Sequence, residues 1–168
     1  MFYFCKKHNL IDKADYIRKA REMFNAYDFD VWEHSFFDEN TGGYVVTEIQ
    51  RITQSEKSKS ERGKYRKEYN MCVALAMDGN AVEHLDDKHG NSYDIHLNGV
   101  KADLKKTGSH NNIRNYAKEA LNKQGASIVV FEFKVETEEI HSEILLLQKK
   151  GIHGKYYFSK NKKIIFNF

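Results

Sequence analysis

The sequence predicts an α/β protein: a mixed β-sheet flanked by helices, with an α-β-β-β-α-β core preceded by an N-terminal extension. Three observations predict it. From residue 60 onward, helical and strand periodicities follow one another as α-β-β-β-α-β-α-β-β, an order that calls for strands of both directions with helices packed on them. Asn98-Gly99 lies between two alternating segments and marks a hairpin, because both central residues of a type I′ turn need positive φ. The run ASIVVFEF, Ala126 to Phe133, is apolar and β-branched, as a strand buried on both faces requires.

The first element is a helix over Asp12 to Tyr27, with Asp12 as its cap and Ala14, Ile17, Ala20, Phe24 and Tyr27 at helical spacing. The aromatic segment that follows reads as a small hairpin or irregular wrap, with a Gly42-Gly43 turn leading into Tyr44-Val45-Val46, and it is expected to cover one sheet edge. Gln54 to Gly63 is polar, rich in Ser and Lys and free of large apolar residues, so it reads as a linker. That divides the chain into residues 1–59 and a domain over 60–168. A long helix then starts near Ser60 and ends at Gly79, carrying Tyr65, Tyr69, Cys72, Val73 and Ala76 as a stripe. Three strands follow at Ala81 to Leu85, Tyr93 to Leu97 and Val100 to Lys105. Ser109 caps a second helix, with Ile113, Tyr116, Ala117, Ala120 and Leu121 inward and Gly125 at its end. After the buried strand come a third helix, Glu138 to Lys150, and a closing hairpin around Ser159 to Lys162.

The 168 residues, 40% hydrophobic and 30% charged, suffice for one sizeable core. A net charge of +3 excludes a passive nucleic-acid coat and an acidic tail, but the charge is segregated. Glu22 to Gln50 holds seven acidic residues and no Lys or Arg, whereas Lys149 to Phe168 holds six Lys and no acid. Cys5 and Cys72 match no zinc or redox spacing, which points to a reducing compartment. No apolar run suits a signal peptide or a membrane span, so the expectation is a cytoplasmic protein without a membrane partner. Proline is absent, which removes Pro-rich linkers, and 13% aromatic residues argue against disorder.

The chemistry concentrates in SYDIHLNGVKADLKKTG. If the loop is Asn98-Gly99, Leu97 pairs with Val100, Ile95 with Ala102 and Tyr93 with Leu104, all on one apolar face. Asp94 then lies across from Asp103 on the other face, with Lys105 pointing the same way. Two opposed carboxylates repel, by about 0.2 to 1 kcal/mol on the cross-strand scale. A divalent cation between them turns the repulsion into a site, since Mg²⁺ prefers carboxylate oxygens and keeps water ligands. Lys105 beside it would stabilise developing charge or orient the attacking water. Glu68 sits on the long helix at the edge of its apolar face, with Met71 and Leu75 as neighbours, and there needs a partner. Gln124 occupies the next position after Ala117 and Ala120/Leu121 on the apolar face of the second helix. Lys101, Lys106, Arg114, Lys118 and Lys123 are available for phosphate contacts around the mouth.

A helix bearing Glu68, then a hairpin bearing Asp94 and Asp103-x-Lys105, then helix and strand, resembles the PD-(D/E)XK nuclease superfamily. The likeness is closer still to the tRNase domains at the C-termini of contact-dependent growth inhibition toxins (CdiA-type), where a Gln on the following helix, matched by Gln124, belongs to the site. It spans roughly residues 60–135, and Tyr93 stands where the name motif has Pro. The resemblance implies a restriction-endonuclease-like core and hydrolysis of phosphodiester bonds. One or two Mg²⁺ (or Mn²⁺) would be held by Asp94, Asp103 and Glu68 with a backbone carbonyl near Leu104, and Lys105 would stand at the attacking water. It favours RNA, tRNA in particular, over DNA, and a toxin would bring a cognate immunity protein.

Three other readings compete. Eight scattered histidines, with His96 on the hairpin, allow a metal-independent ribonuclease. A DNA nuclease of a mobile element, or a non-catalytic binding module on a degenerate nuclease fold, would keep the same elements.

Overall fold

The computed structural model describes residues 2–87 and 92–168, with side chains from Asp12 onward except that of Lys163. The side chains of Cys5 and His8, and His89 altogether, lie outside the described residues. In chain order the elements are α1 (Phe2–Asn25), β1 (Trp32–Phe37), β2 (Tyr44–Glu48), α2 (Ile49–Glu56), α3 (Lys59–Met77), β3 (Ala81–His84), β4 (Ile95–Leu97), β5 (Val100–Thr107), a 3₁₀ turn (His110–Asn112), α4 (Ile113–Asn122), β6 (Ile128–Phe133), α5 (Glu138–Lys149), β7 (Gly154–Phe158) and β8 (Asn161–Asn167). The α-β-β-β-α-β-α-β-β order from residue 60 is therefore present, within an α/β fold built on one mixed sheet.

Among the described residues that sheet has eight strands whose spatial order is their chain order, β1 to β8. Parallel pairings occur where a helix makes the crossover: β2 with β3 through α2 and α3, β5 with β6 through α4, and β6 with β7 through α5; the other neighbours are antiparallel. One face is covered by α3, which packs Met71, Cys72 and Leu75 onto Val45, Val82, Ile95, Leu97, Ala102 and Leu104. On the other face α4 and α5 cover Val129, Phe131 and Phe133, and Phe24 of α1 meets Tyr44 and Val46 at the far end. β6 supplies side chains to both clusters, as its uninterrupted apolar run requires. Each such fully buried Val, Ile or Phe contributes roughly 1.5–3 kcal/mol of transfer free energy.

Three expectations need correction. α1 starts well before Asp12, because no Gly or Pro between Phe2 and Asp12 stops it, so Asp12 lies inside the helix and is not its cap. The polar stretch Gln54 to Gly63 is no linker. α2 runs to Glu56, and α3 begins after Ser58, whose hydroxyl accepts from the Glu61 N–H. Polarity there reflects an exposed helical face and a cap rather than absent structure. Tyr93 does not pair with Leu104; β4 begins at Ile95 after a bend, and Tyr93 packs with the α4 side of the sheet. The aromatic hairpin is present, and its second strand joins β3 as a full member of the sheet. The exposed edge passes to β1, where a bulge between His34 and Phe36 breaks the ladder.

The α3–β2 junction is tight. A Cβ placed on Gly43 would lie 1.8 Å from the carbonyl oxygen of Ala76, at the C-terminal end of α3. Among the described residues no helix is long and apolar enough to cross a membrane. Gly43→Ala is expected to destabilise the fold by about 3 kcal/mol or more, seen as a lower urea midpoint with an unchanged slope.

Candidate active site

The hairpin that carries the site has the predicted turn: Asn98 and Gly99 have φ of 51° and 78°, and Leu97 pairs with Val100, His96 with Lys101 and Ile95 with Ala102. The turn is tied to the end of α3, since the Asn98 side chain accepts from the Ala81 N–H at 2.8 Å and donates to Asn80 at 2.9 Å. With the register fixed, Ala102 and Leu104 enter the α3-side core. Asp103 and Lys105 go to the opposite face.

Asp103 is fully buried, and Lys105 Nζ stands 2.7 Å from its Oδ2. Neither oxygen of Asp103 has an aligned hydrogen-bond partner, so the contact with Lys105 is an ion pair by distance only. Lys105 also donates to Gln124 Oε1 at 3.1 Å, which holds the ammonium between α4 and β5. Asp94 interacts with Asp103, and its Oδ2 accepts from the Leu104 N–H at 2.9 Å. Burial, then the charges of Asp103 and Glu68, push the Asp94 carboxyl well above the usual range; the Leu104 N–H pulls it only partly back. Burial likewise raises Asp103, against the opposing Lys105 ammonium. Two desolvated carboxylates in contact favour holding a proton, or a cation, between them.

Glu68 is in a different electrostatic state. Its Oε2 accepts from Arg51 Nη2 at 2.8 Å and lies 3.2 Å from His84 Nε2, with Lys64 at 3.9 Å from Oε1. Burial pushes its pKa up, but the hydrogen bonds from His84 and Arg51 more than offset this, and the carboxyl ends below its ordinary value. His84 is driven towards the neutral form by its own burial. Arg51, with only 1% of its side chain exposed, was not singled out in the sequence, because it falls in the polar, amphipathic α2 just ahead of the supposed linker. A charged residue one turn from a buried-strand boundary was its only signal.

Of the residues expected at the site, Asp94, Asp103, Lys105 and Gln124 come together. Glu68 and Asp94 border a common small recess with Arg51, Lys64 and Tyr93, but Glu68 is closed into its own ion pair. Among the described residues no three His, Cys, Asp or Glu side chains are grouped closely enough to hold a metal ion. Asp94 and Asp103 offer carboxylate oxygens that suit a hard divalent cation, both oxygens of Asp103 being buried without an aligned hydrogen-bond partner, but Glu68 is taken up by Arg51 and His84 and is not free as a third ligand. The lysines and arginine are dispersed. Lys101 lies 5.4 Å from the Tyr93 ring on the site's face. Lys106 turns to the opposite face and pairs with buried Glu132 at 2.7 Å. Arg114 is neutralised by Glu143, and Lys118 and Lys123 border a shallow cleft on the outer side of α4. Of the histidines, His96 bonds Glu83 at 2.6 Å and the Tyr93 hydroxyl at 3.2 Å.

A chain of the CdiA-CT/CdiI toxin and immunity complex from Burkholderia pseudomallei is similar in fold, with a TM-score of 0.51 and 17% sequence identity over 67% of this chain and 89% of that one. No protein-family model and no curated protein matches the chain.

Two measurements test the electrostatics. A raised Asp94 pKa means that the native state binds its proton more tightly than the unfolded chain does. This contribution is complete at acid pH and is lost as pH rises from the ordinary carboxylate range through the raised value. In EDTA, wild-type Tm should therefore fall across that window relative to Asp94→Asn, which keeps an acceptor for Leu104. At neutral pH the variant should be the more stable by on the order of 1 kcal/mol, about 2–4 °C; parallel pH profiles would refute the paired-carboxylate account. Arg51→Ala, which leaves Glu68 buried without its guanidinium, should cost about 3–5 kcal/mol in chemical denaturation.

Proposed function

We propose that this chain is a metal-dependent endonuclease that hydrolyses phosphodiester bonds, with RNA and particularly tRNA as substrate, and that it acts as a toxin-like nuclease domain with an immunity partner. The observation that carries the reading is Asp94 set against the fully buried Asp103, neither of whose oxygens has an aligned hydrogen-bond partner, beside a lysine held at 3.1 Å by Gln124. A fold maintained for stability alone has no use for two desolvated carboxylates in contact.

Asp94 and Asp103 would hold a Mg²⁺ or Mn²⁺ ion, which when bound neutralises their charge and supplies Lewis acidity toward a phosphoryl oxygen and a water. The protein's own groups do the rest. The Leu104 N–H fixes Asp94, so the pair keeps one geometry. Gln124 holds the Lys105 ammonium on the α4 side, from which it would donate to a non-bridging phosphate oxygen as negative charge builds there. Burial on the α4 side keeps water scarce around that ammonium and strengthens its effect.

The toxin part of the proposal rests on the fold likeness to a chain of a toxin and immunity complex, and the preference for RNA on the sequence resemblance carried by Glu68, Asp94, Asp103, Lys105 and Gln124. The closed Arg51–Glu68–His84 cluster favours a second reading, a nuclease fold retained for binding, because it leaves two carboxylates rather than three at the centre. Cleavage assays separate the two. With Mg²⁺ or Mn²⁺ the protein should cut labelled tRNA, and Lys105→Ala should slow cutting by about 10²-fold or more. Single-stranded and duplex DNA serve as comparison substrates. Cleavage that survives EDTA and Asp103→Asn would exclude the metal reading, and no cleavage of any substrate would favour the binding module.

A further inference from the structure

We propose that the groove between the first turns of α3 and the outer end of β5 is a track for the phosphate backbone of an RNA strand on its way to Asp94. The inference rests on the nuclease reading and adds to it a substrate-binding surface. The groove has a volume of about 480 Å³ and is lined by Lys59, Gly63, Lys64, Lys67, Leu104 and Lys106 among others. It adjoins the site at two points. Leu104 is the residue whose N–H holds Asp94, and Lys64 and Glu68 border both the groove and the recess containing Asp94.

Two residues on the α3 wall run against what a helix alone would select. Lys59 is the first residue of α3, where the helix dipole disfavours a cation. Gly63 lies in the second turn, where glycine is among the least favourable residues. Nothing in the fold asks for that glycine: its φ is not in the left-handed region, and a Cβ placed on it would meet no atom within 4 Å. Lys59, Gly63 and Lys67 recur at four-residue spacing, so they stack along one face of the helix. The missing side chain lowers the wall between two ammonium groups, which is the shape a close-approaching backbone needs.

The charges divide into committed and free. Lys64 is paired with Asp87 and Lys106 with Glu132, each at 2.7 Å. Lys59 and Lys67 have no acidic partner among the described residues, so a polyanion gains both contacts without breaking an ion pair. A phosphodiester strand suits a concave groove that adjoins the recess of Asp94 better than a flat acidic protein surface does.

The test is binding without chemistry. Anisotropy of a fluorescein-labelled oligouridine is measured in EDTA over about 50 to 200 mM salt. The Lys59→Ala/Lys67→Ala double variant should flatten the slope of log Kobs against log salt by about 1.4, two contacts at about 0.7 each on single strands. Gly63→Leu should weaken RNA binding while raising Tm by about 2–4 °C, since leucine is the better helix former. An exposed helical face without a ligand would show the Tm gain alone. An unchanged slope, or wild-type RNA affinity in Gly63→Leu, overturns the proposal. Binding of poly-glutamate but not RNA, with the same lysine dependence, overturns it in favour of an acidic protein partner. Cleavage with an unaltered slope defeats the track and spares the nuclease reading; an altered slope with no cleavage does the reverse.

Discussion

The geometry of the candidate site depends on two residues with positive φ. Asn98 and Gly99 close the β4–β5 hairpin without an intervening residue, and the pleat then sends Ala102 and Leu104 into one core and Asp103 and Lys105 to the other face. A one-residue slip would bury Lys105 under α3 and turn Leu104 away from it. The Asn98 side chain, bonded to Ala81 and Asn80, also fixes the hairpin against the C-terminal end of α3. The same short turn thereby sets the register of the strands and their distance from the helix that carries Glu68.

Three acidic residues close in space sit in opposite electrostatic states. Glu68 is held below the ordinary carboxylate range by His84 and Arg51 despite its burial, whereas Asp94 is raised by burial and by the charges of Asp103 and Glu68, and Asp103 is raised by burial against the opposing Lys105 ammonium. The difference follows from where cations are anchored. Arg51 is committed to Glu68 with its guanidinium inside the protein, while the Lys105 ammonium at Asp103 is shared with Gln124. Charge is thus balanced on the helix side and left unbalanced between the strands.

Much of this was legible from residue types alone. Turn chemistry fixed the hairpin, period-2 alternation gave the faces, and Asp94, Asp103, Lys105 and Gln124 were expected together and are found together. What was not legible required knowing what packs against what. Arg51 reads as one more polar residue in a polar segment until α2 folds back on α3. Lys106, adjacent to Lys105 in sequence, points to the opposite face, where buried Glu132 already claims it, because one step along a strand inverts the side chain. The segment around Gly63 looks like a linker because local composition cannot distinguish solvent-facing helix from no helix, and the Ser58 cap that decides it lies inside the same polar run. Tyr93 left its assumed register because the strand bends before Ile95, a tertiary feature with no local signal.

The strand order has a consequence for how the molecule is assembled. Among the described residues every strand of the sheet lies beside the strand that precedes it in the chain, so none of these strands has to be threaded between two neighbours that have already paired. The chain also contains no proline, and it lacks the X–Pro bonds whose isomerisation delays folding by tens to hundreds of seconds. A chain emerging from one end, whether from a ribosome or after being unravelled, can add each new strand to the last in a single direction. Its architecture is one that can be taken apart and rebuilt in linear order.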